Sequence, residues 1–372
     1  MNKKRVLIAV TTDIVSDMRV QKVCSFLLEK GLELNVIGRV MPSTFNANLP
    51  FKYKLFKLIF KRGALFYAEY MIRFFFFGLV KRTDIIVAND LDTLLPCYLL
   101  SKLKRIPLVY DSHEYFTESA GLIGKKRTKW VWELVEKKIF PSLKRISTVN
   151  DSIAFIYKKK YNVNVYVVRN IPPFYKVLKT KSKLDFGISE SKKVILLQGG
   201  YIDFDRGGIE LIESMQFVSD DFLLLVIGAG QEIPRMIYMM NKLKLNHKIQ
   251  FIPKIPSEAL MAYTNIADLG ISIDKPTNLN YTYSLPNKLF DYMRAEVPML
   301  ISSLPELVKI HTEFPFGLIL DSHKPRHIAQ KMQEALYHPD YEQWKVNLSL
   351  ASVSFRWENE CESLKELYRD LW

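Results

Sequence analysis

Short runs of Val, Ile and Leu recur along this whole chain, with little polar alternation inside them and mostly helix-length stretches between them. In the first half they are RVLIAVT (5–11), ELNVIG (33–38), DIIVAN (84–89), PLVYD (107–111), RISTVN (145–150) and VYVVRN (165–170). In the second half they are VILLQGG (194–200), FLLLVIGAG (222–230), KIQFIPK (248–254), ADLGISI (267–273) and VPMLISS (297–303). A strand that is apolar on both faces must be covered on both, so the pattern predicts α/β architecture with parallel sheets wrapped in helices. The pattern breaks once, over 171–193, in a stretch containing Pro, Lys and Ser. At 372 residues the chain suits two domains rather than one. The expected division is a lobe over 1–172, a linker over 173–192, a second lobe over 193–353 and a final helix over 354–372 that crosses back. Doubly wound lobes facing one another make a cleft, and ligands on such sheets sit just beyond the strands' carboxyl ends.

Three cysteines, Cys24, Cys97 and Cys361, are far apart and odd in number. That suits a reducing compartment and neither a disulfide framework nor a zinc site. The start, MNKKRVLIAV, reads as a first strand rather than a signal peptide, so the chain is expected in the cytoplasm. Charge is more informative. Residues 1–180 carry 32 Lys and Arg against 14 Asp and Glu, whereas 181–372 carry 21 against 25, so all of the net +14 lies in the first half. Such asymmetry points to an anionic partner for that half: a membrane surface, a nucleic acid or a phosphorylated substrate.

Residues after strands are the ones to weigh for chemistry. QGGYIDFDRGG (198–208) leaves a strand and opens a helix near Gly208. Gly199 and Gly200 let a phosphate approach the backbone, and Arg206 adds a fork-shaped cation. IGAGQE (227–232) repeats the arrangement with Gly228 and Gly230, a weak signal alone. NYTYSLPNKLFDYMRAEVPMLIS (280–302) is the most specific stretch. Ser284, Pro286 and Asn287 punctuate it before a helix from Lys288 to about Ala295, where a diphosphate could rest on the helix start and Lys288. Asp291, three residues on, shares that face and suits a ribose; an ordinary surface Asp–Lys pair is the other reading. In the first lobe, VYDSHEYFTE (109–118) places His113 directly after a strand, to position a sugar hydroxyl or assist proton movement. Asp90 and Asp92 have the look of a metal-binding Asp-x-Asp, but helix capping by Asn89 or Asp90 accounts for them and no metal is expected. Asp13, Asp17 and Arg19 either line an acceptor pocket, with Asp90, or cap the first helix.

Taken together, these stretches resemble family 4 glycosyltransferases of the GT-B fold, with two Rossmann-like lobes. The landmarks are SDMRVQKVCSFLLEKGLELNVIG, YDSHEYFTE, LLQGGYIDFDRGG, VIGAG, YSLPNKLFDYMRAEVPMLIS and the terminal FRWENECESLKELY, in order over nearly the whole chain. The resemblance implies a hexosyl transfer that needs no metal or cofactor and retains anomeric configuration. The donor, a substrate rather than a cofactor, is a nucleoside-diphosphate sugar on the C-terminal lobe. His113 would contact the donor sugar, Arg206 and Lys288 the diphosphate, and Asp291 the ribose. Two positions depart from the family pattern: Tyr283 stands where a first Glu is usual, and Gly200 where an Arg is usual.

Residues 51–82 hold eight Lys and Arg, one acidic residue and eleven aromatics. Lys54, Lys57 and Lys61 recur at i, i+3 and i+7, with Phe60 turned away from them, which reads as a basic amphipathic helix lying on a membrane. GKKRTKWVWELVEKK (124–138) adds a second basic patch with Trp130. Residues 64–80 are short for a span and contain Glu69 and Arg73. A docked first lobe suggests a lipid-linked or glycan acceptor, bacterial surface polysaccharide or glycolipid synthesis, and a peripheral place on the inner face of the plasma membrane. Two alternatives stay open: a nucleotide-sugar 2-epimerase on the same fold, and a non-enzymatic basic protein binding membrane or nucleic acid. No nucleic-acid module is recognisable, and that partner is not expected.

Overall fold

The computed structural model describes residues 3–41, 48–173 and 181–372. The chain forms two compact units. One is Met1–Asn170 with Asn278–Asn280 and Glu360–Trp372; the other is Ile171–Thr277 with Tyr281–Asn359.

The first unit is built on seven strands: β1 (Arg5–Ala9), β2 (Glu33–Arg39), β3 (Lys52–Phe56), β4 (Ile85–Asn89), β5 (Leu108–Ser112), β6 (Ile146–Thr148) and β7 (Tyr166–Val167). They pair in parallel in the order β3-β2-β1-β4-β5-β6-β7. Every residue of β4 and β5 is buried, which is why neither run alternates. The second unit has six: β8 (Lys193–Gly199), β9 (Phe222–Gly228), β10 (Ile249–Ile252), β11 (Leu269–Ser272), β12 (Met299–Ser302) and β13 (Gly317–Leu320). Their order is β10-β9-β8-β11-β12-β13, again parallel. Buried apolar clusters lie on both faces of this sheet, one around Leu211, Met236 and Met332, the other around Leu289, Tyr292 and Leu307. The sheet order reverses between β1 and β4 in the first unit and between β8 and β11 in the second, so each unit has one switch point.

Two strands were hidden in the sequence. β13 is only four residues long, and its first, Gly317, runs so close to β12 that a Cβ would lie 1.9 Å from the Met299 carbonyl oxygen. β3 replaces the first half of the expected amphipathic helix. Lys54 belongs to this edge strand, where exposed lysines guard an unpaired edge, and Lys57, Phe60 and Lys61 lie in the loop after it. Lysine spacing alone could not tell the two apart. The helix begins later, at Gly63, and runs to Val80. Through Phe66, Tyr70, Phe74 and Gly78 it buries a stripe against the first sheet. The Tyr70 hydroxyl donates to the Ile37 carbonyl (2.7 Å) and accepts the Val10 N–H (2.9 Å).

From residue 181 onward, the segment expected as linker is folded onto the second unit. Ile188 is buried in its core and Lys183 bridges Asp268 at 2.7 Å. The chain's last residues belong to the first unit, where the Glu360 carboxylate accepts the Arg169 backbone N–H at 2.7 Å.

Candidate functional site

In the second unit the helix Lys288–Ala295 is held against the sheet by Tyr292, whose buried hydroxyl donates to the Leu196 carbonyl at 2.8 Å. Its ring lies where a side chain on Gly270 would be, 2.7 Å from an added Cβ, so only glycine fits there. Beside the helix start, Asp274, two residues beyond β11, is fully buried and takes an ion pair from Arg206 and a second contact from Lys288 at 3.7 Å. Arg206 also lies over the Tyr281 ring, 4.3 Å from its centroid. Burial, and then the neighbouring Arg206, hold the Lys288 ammonium below its ordinary range, against the pull of Asp274. Two cations share one carboxylate, leaving an excess positive charge that an anion would neutralise.

Asn287 occupies the N-cap position, but its side chain makes no capping bond. Pro286 gives its carbonyl to the Leu289 N–H and Ser284 gives its N–H to the Tyr281 carbonyl, at 3.1 Å each. Asp291 accepts from Gln198 (3.0 Å) and Arg294 (2.7 Å), one on each oxygen. These two bonds fix the orientation of the carboxylate. Gly200 faces open space. Gly228 and Gly230 have a packing reason to be glycine. Their φ angles are 150° and 152°, and added Cβ atoms would lie 2.0 Å from the Gly199 oxygen and 1.9 Å from the Ile202 oxygen. The absent side chains let the two glycine loops lock together, with the Ile202 N–H donating to Ala229 at 2.6 Å.

In the first unit His113 follows β5 and is ringed by carboxylates. Its Nδ1 is 3.5 Å from Asp90 and 3.9 Å from Asp17, and its Nε2 is 3.4 Å from Asp111. Asn89 Oδ1 is 3.2 Å from Nε2. Burial opposes charge on the ring, but Asp90, the hydrogen bond to Asp111 and Asp17 outweigh it and push the imidazole up to about 9. His113 is therefore an imidazolium at neutral pH, a donor rather than a base. Its folded pKa is raised, so its contribution to stability is complete below about pH 6.5 and is lost as pH rises through about 9. NMR of the imidazole should give a midpoint near 9; a midpoint at the ordinary histidine value of 6.5 would contradict the carboxylate ring.

Asp90 stands at the N-cap of the helix Leu91–Lys104 but does not cap it. Its carboxylate accepts the His113 backbone N–H at 2.7 Å, and its backbone is forced to φ 59°, ψ 169°, a region that costs a non-glycine residue about 1–3 kcal/mol. Asp92 accepts from Thr11 at 2.5 Å. Asp17 is the cap of the first helix, accepting the Val20 N–H at 3.1 Å, and Asp13 ties its own loop through Val15 and Ser16. Arg19 lines no open pocket: it is 2 % exposed and grips Asp111 with two nitrogens.

Sequence reasoning missed Asp274, Asp111 and Gln198. Each stands at or just past the carboxyl end of a strand, the position singled out as informative, yet none was picked out among ordinary polar residues.

Residues 181–347 match the family model described as glycosyl transferases group 1. That segment is similar to the group 1 glycosyl transferases. The matched segment lies in the second unit, apart from Asn278–Asn280, and contains Arg206, Asp274, Lys288 and Asp291. No curated protein matches the chain. Solved structures match over almost its full length. Sucrose-phosphate synthase from Thermosynechococcus elongatus is 15% identical, with 99% of each chain covered and a TM-score of 0.79. WaaG, a glycosyltransferase involved in lipopolysaccharide biosynthesis, is 14% identical, covering 98% of this chain and 100% of its own, with a TM-score of 0.75. HepE from Anabaena, in complex with UDP, is 12% identical, with 98% of each chain covered and a TM-score of 0.72. At such identities these likenesses establish the GT-B fold of this chain: two Rossmann-like units, each a parallel sheet alternating with helices.

Proposed function

We propose that this chain moves a hexosyl group from a nucleoside-diphosphate sugar to a lipid-linked or glycan acceptor, with retention of anomeric configuration. The observation that carries the donor assignment is the Arg206–Asp274–Lys288 cluster beside the start of the helix Lys288–Ala295. When the bond from the anomeric carbon to phosphate oxygen breaks, both electrons leave with the diphosphate. Fixed cations and a helix N-terminus stabilise that charge as it develops. The acceptor hydroxyl forms the new bond, and its proton passes to the departing phosphate, which makes a separate carboxylate base unnecessary. Asp291, oriented by Gln198 and Arg294, takes the ribose hydroxyls. His113, as an imidazolium, donates to a sugar hydroxyl. The reading has no metal, since Asp90 and Asp92 are engaged by His113 and Thr11. UDP bound to HepE, and WaaG's part in lipopolysaccharide biosynthesis, support a nucleotide donor and a lipid-borne acceptor. Buried thiols at Cys24 and Cys97 suit the cytoplasm.

A thermal-shift screen of UDP-, GDP- and dTDP-sugars tests the assignment. One of them, at about 100 times its Kd, should stabilise the protein by about 2.7 kcal/mol. That is a rise in Tm of roughly 5–10 °C for units of this size, and Lys288→Ala should abolish it. No shift with any nucleotide sugar would overturn the donor reading. NMR of the product's anomeric proton tests retention.

A further inference from the structure

The helix Gly63–Val80 is long and apolar enough to cross a membrane by length and composition, with a mean hydropathy of 1.4 over its 18 residues. It is not free to do so. Phe66, Tyr70, Phe74 and Gly78 are built into the first unit, and Gly78 passes so close to Leu100 that a Cβ would meet that side chain at 2.4 Å. Among the described residues, the opposite face is unpartnered. Leu65, Ala68, Ile72, Phe76 and Val80 recur at helical spacing and are all exposed, Phe76 by 63% and Val80 by 86%. The helix's two charged residues do not interrupt this stripe. Glu69 accepts the backbone N–H groups of Ile59 and Phe60 (2.9 Å each), and Arg73 pairs with Glu69 (2.7 Å) and donates to the Lys57 carbonyl (3.1 Å). Their charges are spent pinning the preceding loop, which presents Ile59 and Phe60 outward beside exposed Lys57, Lys61 and Arg62. The neighbouring helix Lys126–Ile139 touches this one through Tyr67 and Trp132. It adds exposed Trp130, Val131 and Leu134 among exposed Lys126, Arg127, Lys137 and Lys138.

We propose that this face docks on an anionic lipid bilayer, with the helix Gly63–Val80 lying in the plane of the surface and its outer stripe among the acyl chains. Helices that are apolar on one side and basic at the rim bind in this way. A second copy of the chain is the poorer fit, because pairing this face with itself would set lysines and arginines against one another. The inference stands apart from the donor reading, and its test contains no sugar.

The full chain is floated with vesicles of phosphatidylcholine alone and of phosphatidylcholine mixed with phosphatidylglycerol, at low and high salt. Two variants accompany it, Ile72→Asp/Phe76→Asp and Lys57→Glu/Lys61→Glu/Arg62→Glu. All of these positions are outward-facing, and an unchanged Tm certifies the fold of each. The wild type should float with the anionic vesicles at low salt and be released at high salt. The basic-to-acidic variant should lose on the order of 100-fold in partitioning, and the apolar-to-acidic variant at least about tenfold. Equal flotation with neutral vesicles would overturn the proposal, as would flotation that neither variant alters. So would a wild type that ignores both vesicles and sediments as a dimer that Ile72→Asp/Phe76→Asp makes monomeric.

Discussion

Arg206→Ala should lower the rate of sugar transfer about 10²–10³-fold, the usual effect of deleting one fixed group aimed at charge that builds in the transition state. The loss belongs mainly in kcat, because the diphosphate gains negative charge only as the sugar departs, so the guanidinium matters more then than in the ground-state complex. The fold should survive the change. Asp274 keeps Lys288 as its partner, and Lys288, freed of a like-charged neighbour, becomes easier to protonate. Arg206→Lys should recover part of the rate, since charge is restored but the planar fork is not. Single-turnover kinetics with saturating donor make the comparison. An Arg206→Ala enzyme that transfers as fast as the wild type would remove the electrostatic basis of the assignment.

Arg19→Ala should be the most destabilising single change in the first unit, by about 3–5 kcal/mol, because it strands a buried carboxylate. Arg19 and Asp111 have side chains 2% and 5% exposed. Burial by itself would raise the Asp111 pKa; Arg19, with His113, holds it well below the ordinary carboxylate range instead. A depressed carboxylate pKa adds stability above the unfolded value of 3.8 and loses it as pH falls towards the folded one. The gap between wild type and variant should therefore be widest at neutral pH and narrow in acid. Denaturant melts at several pH values measure this, and a loss under about 1 kcal/mol at neutral pH would mean the pair is not the keystone its burial suggests.

Fold and sites were unequally legible. Runs such as DIIVAN and VILLQGG announced themselves because a strand buried on both faces leaves no room for polar residues. β3 did not, because an edge strand carries lysines for a reason unrelated to helical periodicity. Near the helix Lys288–Ala295 the sequence pointed to Lys288 and Asp291 because Pro286 and Asn287 mark a helix start with local chemistry. Asp274 lies fourteen positions before Lys288 in the chain, and only the parallel pairing of β8, β11 and β12 brings it there. Gly228 and Gly230 carry an ambiguity of another kind. Their spacing is that of a phosphate loop, yet close approach of any backbone demands the same residue, and here the approaching backbone is the protein's own. Arg19 misled similarly, since nothing local distinguishes a cation facing solvent from one sealed against β5.

The uneven count of charges around Asp274 bears on turnover. If the proposed donor binds there, a cluster carrying one positive charge too many should hold the spent nucleoside diphosphate more firmly than the intact donor, because losing the sugar exposes another negative oxygen. On the proposed donor reading, the free by-product should then inhibit in competition with the donor, and a phosphatase that removes it would relieve that inhibition.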